Sequence, residues 1–91
     1  MDINTVGLLN NYSFDIIKLD LSKKQINGIL NLDKFCYLTE LNCINNKITN
    51  LDNLPNSLTE LNCIGNQITN LDNLSNSLTE LNNMKVNIYT I

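Results

Sequence analysis

The chain has 91 residues, with 6 Lys, no Arg or His, 9 acidic residues and a formal charge of −3, and its pI is near 4.5. That length accommodates one domain with a small core, in which each buried layer matters to stability. The acidic balance leaves no excess of cations to neutralise phosphates, which argues against nucleic acid and anionic membrane as partners.

The opening "MDINTVGLLNNYSFD" has no Lys or Arg ahead of its short apolar patch, so it lacks the layout of a signal peptide. Polar residues interrupt every apolar run well before the ~20 residues that a spanning helix needs. The expected setting is therefore intracellular, in the cytoplasm. An odd count of 3 Cys without secretory context reads as reduced thiols rather than a disulfide framework. Residues 1–15 carry Val6, Leu8, Leu9 and Phe14 and are expected to form an N-terminal cap with a helical turn.

From residue 16 the chain repeats itself. The segment "YLTELNCINNKITNLDNLPN" at 37–56 is followed by "SLTELNCIGNQITNLDNLSN" at 57–76, and the phrase begins again at 77 with "SLTELNNMKVNI". The anchors of the central copies are Leu38, Leu41, Cys43, Asn46 and Ile48, then Leu58, Leu61, Cys63, Asn66 and Ile68. A diverged first copy has Ile16, Leu19, Leu21, Lys24 and Ile26, and the last has Leu78, Leu81, Asn83, Val86 and Ile88. The repeats run 16–37, 38–57 and 58–77, with a partial one at 78–91.

Within "TELNC" the residues alternate, Leu41 and Cys43 on one side and Glu40 and Asn42 on the other, as a half-buried strand requires. After Asn46, apolar residues at Ile48, Leu51, Leu54 and Leu58 suit a turn-rich return path facing the same core, with Asp52, Asn53, Pro55 and Asn56 as turn formers. One such coil cannot bury its apolar side alone. Neighbouring coils must stack, which places the strands side by side in a parallel sheet.

The spacing LxxLxLxxNxI resembles the leucine-rich repeat family, whose units run from about 20 residues upward. The resemblance covers roughly residues 16–91 and implies a mostly β member of the α/β solenoids: right-handed, with a parallel β-sheet on the concave face and turns or 3₁₀ segments on the convex face. The first copy, with Ile26, Ile29, Leu32, Phe35 and Leu38 every three residues, resembles a 22-residue subclass with a more helical return path. The later copies resemble a 20-residue subclass whose return path is extended. The family places an inward Asn at the positions of Asn46 and Asn66, whose amides would form a structural ladder with neighbouring backbone. Lys24 and Val86 interrupt that ladder at its ends.

No catalytic residue can be assembled: there is no Cys–His pair, no Gly-rich phosphate loop and no Ser–His–Asp set, so the chain reads as a non-enzyme. Nothing in the pattern calls for a cofactor or a metal. Cys43 and Cys63 read as small buried hydrophobes, and Cys36 as the one exposed thiol. The outward strand positions form rows: Glu40, Glu60 and Glu80; Asn42, Asn62 and Asn82; Ile44, Ile64 and Met84. Stacked carboxylates repel, and an exposed Ile row gains nothing from water, so stability alone would not choose this face. Recent duplication, copying residues without selection on them, is the competing explanation. The functional expectation is a protein–protein interaction module that recognises another protein, with a basic surface, through this face. The alternative is a structural role in which the C-terminal edge, with Val86, Ile88 and Ile91, pairs into a weak homodimer.

Overall fold

The computed structural model describes residue 1, residues 3–71, residue 74 and residues 77–82. Met84 and the C-terminal apolar residues Val86, Ile88, Tyr89 and Ile91 lie outside the described residues, as does Asn83. The chain opens with helix α1 (Ile3–Leu9), of which Thr5 and Leu9 are buried. These two are four apart and so share one helix face. Two tight turns follow, in which Asn11 N–H donates to the Leu8 carbonyl at 3.1 Å and Tyr12 N–H to the Leu9 carbonyl at 3.2 Å. Leu8 and Tyr12 pack against the core from the side. Val6 and Phe14, expected among the capping apolar residues, are exposed.

Four short strands make the main sheet: β1 (Lys18–Asp20), β3 (Glu40–Asn42), β5 (Glu60–Asn62) and β6 (Glu80–Asn82), in the order β1-β3-β5-β6. All three pairings are parallel and join homologous residues, Leu19 to Leu41, Leu41 to Leu61 and Leu61 to Leu81. The fold is a mostly β solenoid of stacked coils, as the repeat implies. The inward alternation holds in β1, β3 and β5, whose central Leu is buried at each crossing.

The core is a set of columns running from coil to coil. Leu21, Cys43 and Cys63 form one, Ile26, Ile48 and Ile68 a second, and Leu38, Leu58 and Leu78 a third, all of them buried. Each coil supplies one member per column, so no coil has a core of its own.

The return path departs from expectation. Its first half is extended in the first two coils, as β2 (Asn27–Asn31) and β4 (Lys47–Asn53), which pair in parallel as a second, two-stranded sheet. Burial in β4 follows a period of three rather than two, with Ile48 and Leu51 inside. That period made the segment read as turns. Pairing starts at Asn27 with Lys47 and reaches Asn31 with Asn53 only through two register irregularities.

The first return path is not helical. It holds β2 and then two consecutive tight turns, Phe35 N–H to the Leu32 carbonyl at 3.0 Å and Leu38 N–H to the Phe35 carbonyl at 3.1 Å. The corresponding stretch of the second coil has one such turn, Leu58 N–H to the Pro55 carbonyl at 3.2 Å. The extra length of the first copy is therefore spent on one additional turn, which places Phe35 in the core with no exposed surface. Phe14 meets the Phe35 ring edge-on at 6.2 Å between centroids, and Lys34 Nζ sits 5.0 Å and 5.4 Å from the centroids of the two rings. Cation–π contacts of this kind tie the N-terminal segment to the first coil. No described helix is long and apolar enough to cross a membrane.

Candidate functional site

The outer face of the four-stranded sheet forms a groove of about 390 Å³, lined among others by Lys18, Glu40, Asn42, Glu60, Asn62 and Glu80. Parallel pairing of homologous residues sets Glu40 beside Glu60 and Glu60 beside Glu80. Lys18 heads the same row, its Nζ 3.6 Å from a Glu40 carboxylate oxygen. That pair is open to solvent and adds little stability. A hydrogen bond with the Glu40 carboxyl, reinforced by its charge, raises Glu60 above the ordinary carboxylate range; partial desolvation and Glu80 act in the same direction, and Lys18 against it. The row thus carries like-charge repulsion, which favours the protonated form of Glu60.

The next row has a local structural duty. Asn42 Oδ1 accepts the Ile44 N–H at 3.1 Å and Asn62 Oδ1 the Ile64 N–H at 3.4 Å. In the first coil Asp20 does the same for Ser22 at 2.9 Å. The Ser22 hydroxyl and N–H hold the Asp20 carboxyl below its ordinary range, with Lys24 assisting and slight burial opposing. Strands β1, β3 and β5 therefore each end in an Asx turn made by the last residue. The Nδ2 groups of Asn42 and Asn62 have no hydrogen-bond partner among the described residues, and both side chains line the groove. Asn82 closes the row in β6, paired with Asn62.

In the third row Ile44 and Ile64 are half-buried, not exposed. Both lie beyond the ends of β3 and β5, at Asn42 and Asn62, and each directly precedes a left-handed residue, Asn45 (φ 57°) or Gly65 (φ 78°), where the chain bends. Neither Ile lines the groove, whose walls end at Asn42 and Asn62 on these strands.

Asn46 and Asn66 point inward and are 6% and 2% exposed. Asn46 Oδ1 accepts the Lys24 and Ile26 N–H groups, each at 3.0 Å, while its Nδ2 donates to the carbonyls of Leu21 and Cys43 at 2.8 and 3.0 Å. Asn66 repeats the arrangement one coil later, accepting from Ile48 N–H at 3.0 Å and donating to Cys43 and Cys63 carbonyls at 2.8 and 3.1 Å. All but the part-buried Lys24 N–H are buried backbone groups, so the amides are structural.

A second ladder was not anticipated. The hydroxyls of Thr39, Thr59 and Thr79 donate to the carbonyls of Ile17, Thr39 and Thr59, at 3.3, 3.1 and 3.1 Å. The same carbonyls also accept the backbone N–H groups of the Thr and of the following Glu. Ser57 and Ser77 hydroxyls reach back one coil in the same way, to the Leu38 and Leu58 carbonyls at 2.6 and 2.9 Å. The signal was present in the triplicated "LTEL" phrase, where Thr is retained in a position that alternation alone would leave free.

Cys43 and Cys63 are buried free thiols and Cys36 is exposed. Burial pushes the Cys63 thiol up to about 12, and burial with the neighbouring Cys63 pushes Cys43 higher still, so neither forms the thiolate that nucleophilic chemistry needs. Among the described residues no group of three His, Cys, Asp or Glu side chains could hold a metal ion. Compared with family models, with curated proteins and with solved structures, the chain matches none.

Proposed function

We propose that the protein is a non-catalytic interaction module of leucine-rich-repeat type, which binds another protein through the outer face of its main sheet. The resemblance of LxxLxLxxNxI and the inward Asn ladder support the repeat type. The observation that carries the binding reading is the carboxylate row: Glu40, Glu60 and Glu80 are held in register although their proximity raises Glu60. Unlike the Thr, Ser and inward Asn rows, it makes no hydrogen bond to the backbone of a neighbouring coil among the described residues. A partner with a row of Lys or Arg side chains would relieve the repulsion and gain association rate from the field, which salt screens over about 10 Å at 0.1 M. The half-exposed Ile44 and Ile64, two residues beyond the groove-lining Asn42 and Asn62, supply the apolar contact, and the Asn42 and Asn62 amides, whose Nδ2 groups have no partner among the described residues, supply donors for backbone carbonyls.

Selection from a random peptide library tests this reading. The peptides recovered are expected to combine basic residues with an apolar anchor, and to be lost on Ile64→Asp while the variant stays folded. Peptides without basic enrichment, or equal recovery by Ile64→Asp, would count against it.

A further inference from the structure

Beyond the strand face, the described residues include one concentration of positive charge, at the corner where each coil leaves its strand. The corner holds a pocket of about 390 Å³ lined by Lys23, Gln25, Asn45, Asn46, Lys47 and Gly65. No carboxylate lines it, in a chain whose formal charge is −3. Lys23 and Lys47 come from successive coils and neither forms an ion pair among the described residues, where the one ion pair is Lys18 with Glu40. Lys24, next to Lys23 in sequence, is partly offset by Asp20, on whose carboxyl its charge acts.

The pocket is built by the backbone. Lys23, Gln25, Asn45 and Gly65 all have positive φ, between 54° and 78°. Gly65 opens the floor, since a Cβ placed there would run into the Asn45 side chain and lie 3.3 Å from its Cα. The back wall is Asn46, fixed by its hydrogen bonds to Leu21, Cys43 and the Lys24 and Ile26 N–H groups. The exposed Gln25 and Asn45 amides have no side-chain hydrogen bond recorded to another described residue, so their donors are available beside two ammonium groups.

We propose that this corner binds a phosphate oxyanion carrying more than one charge, held between the Lys23 and Lys47 ammonium groups with the Gln25 and Asn45 amides as further donors. Phosphate fits better than carboxylate. A carboxylate is best recognised by the planar fork of Arg, which this chain lacks entirely, whereas Lys serves phosphate as a point charge from any direction. A diphosphate, with more charge and a longer span than a single phosphate group, suits two ammonium groups that come from successive coils. The acidic balance that argues against nucleic acid does not bear on a small ligand, because the charge that matters is local and the Debye length at physiological salt is about 8 Å.

The test is a titration of the full chain with pyrophosphate, orthophosphate and chloride at matched ionic strength, followed by amide NMR shifts. Pyrophosphate is expected to move the amides of Lys23, Gln25, Asn45, Lys47 and Gly65 and to bind about tenfold or more tightly than orthophosphate. The Lys23→Gln/Lys47→Gln variant should weaken it by at least about tenfold, as loss of a charge-assisted hydrogen bond implies. The Lys18→Gln/Lys34→Gln variant changes net charge equally and should bind as the parent does. Equal shifts with chloride, equal affinity for the two phosphates, or equal weakening by both double variants would overturn the proposal. All four lysines are exposed, and the amide spectrum itself reports whether each variant is folded.

Discussion

The strand face and the return path are made of the same repeated sequence, yet only the strand face keeps homologous residues in register across every described pairing. On the return path the pairing of β2 with β4 begins two residues out of step with the repeat and recovers through two irregularities. The difference lies in where side-chain hydrogen bonds go. The Thr, Ser and inward Asn side chains of the strand face reach carbonyls one coil away. On the return path the Asn side chains bond within their own turn, Asn31 to Asp33 N–H and Asn50 to Asp52 N–H, each two residues on. Apolar columns bring coils together without fixing register along the chain. Polar side chains that span from coil to coil fix it, because a one-residue slip would strand buried backbone groups.

The sharpest way to break this contrast is to make one truncation on each side of it. Leu61 in β5 is 1% exposed and pairs with Leu41 and Leu81 across the main sheet, so Leu61→Ala should cost about 2–5 kcal/mol. Leu54 on the return path is half-buried, and Leu54→Ala should cost clearly less. Urea denaturation of the two variants checks the order, and equal losses would mean that the return path is as tightly packed as the strand face.

Next in size is the amide pair. Asn66→Ala removes the partners of buried groups in two coils and should cost about 1–3 kcal/mol. Asn50→Ala, which removes an exposed local bond, should stay within about 0.5 kcal/mol of the parent. Thermal melts of both variants provide the comparison. Smaller again is Thr59→Val. The Thr39 carbonyl keeps the Thr59 and Glu60 N–H donors after the hydroxyl is lost, so the cost should fall near the low end of about 0.5–1.5 kcal/mol.

Much of this architecture was legible in the sequence, because stacking forces core residues to recur at a fixed interval. Leu41, Cys43, Ile48 and Leu58 declare their columns through spacing alone. The return path was not legible as a strand, since Ile48 and Leu51 are three apart and a strand with period-three burial looks like a turn-rich segment. Helix was expected after Ile26 because Ile29, Leu32, Phe35 and Leu38 recur every three residues. In the structure the Phe35 stretch closes two tight turns instead, and Ile29 lies in β2 with its side chain exposed. Alternation places Ile44 and Ile64 outward, but it stops applying where β3 and β5 end, at Asn42 and Asn62. The basic corner is not legible in the sequence because Lys23 and Lys47 are 24 residues apart. They meet only when coils stack.

The smallest expected effect bears on function. If Glu40, Glu60 and Glu80 are kept for a partner, they should weaken the free protein, and the sign follows from Glu60. Its folded-state pKa is raised, so the folded protein binds protons more readily than the unfolded chain. Its unfavourable contribution is then complete above the raised value and fades as pH falls towards the unfolded one. Replacing all three with Gln should therefore raise Tm at pH 7, and the gain should shrink as the pH falls through the carboxylate range. The direct measurement is the melting temperature of Glu40→Gln/Glu60→Gln/Glu80→Gln against the parent across that range. A higher Tm at neutral pH that converges in acid is the predicted result. A variant that melts lower than the parent at pH 7 would show that the Glu row holds the fold together, and would contradict its assignment as a binding surface.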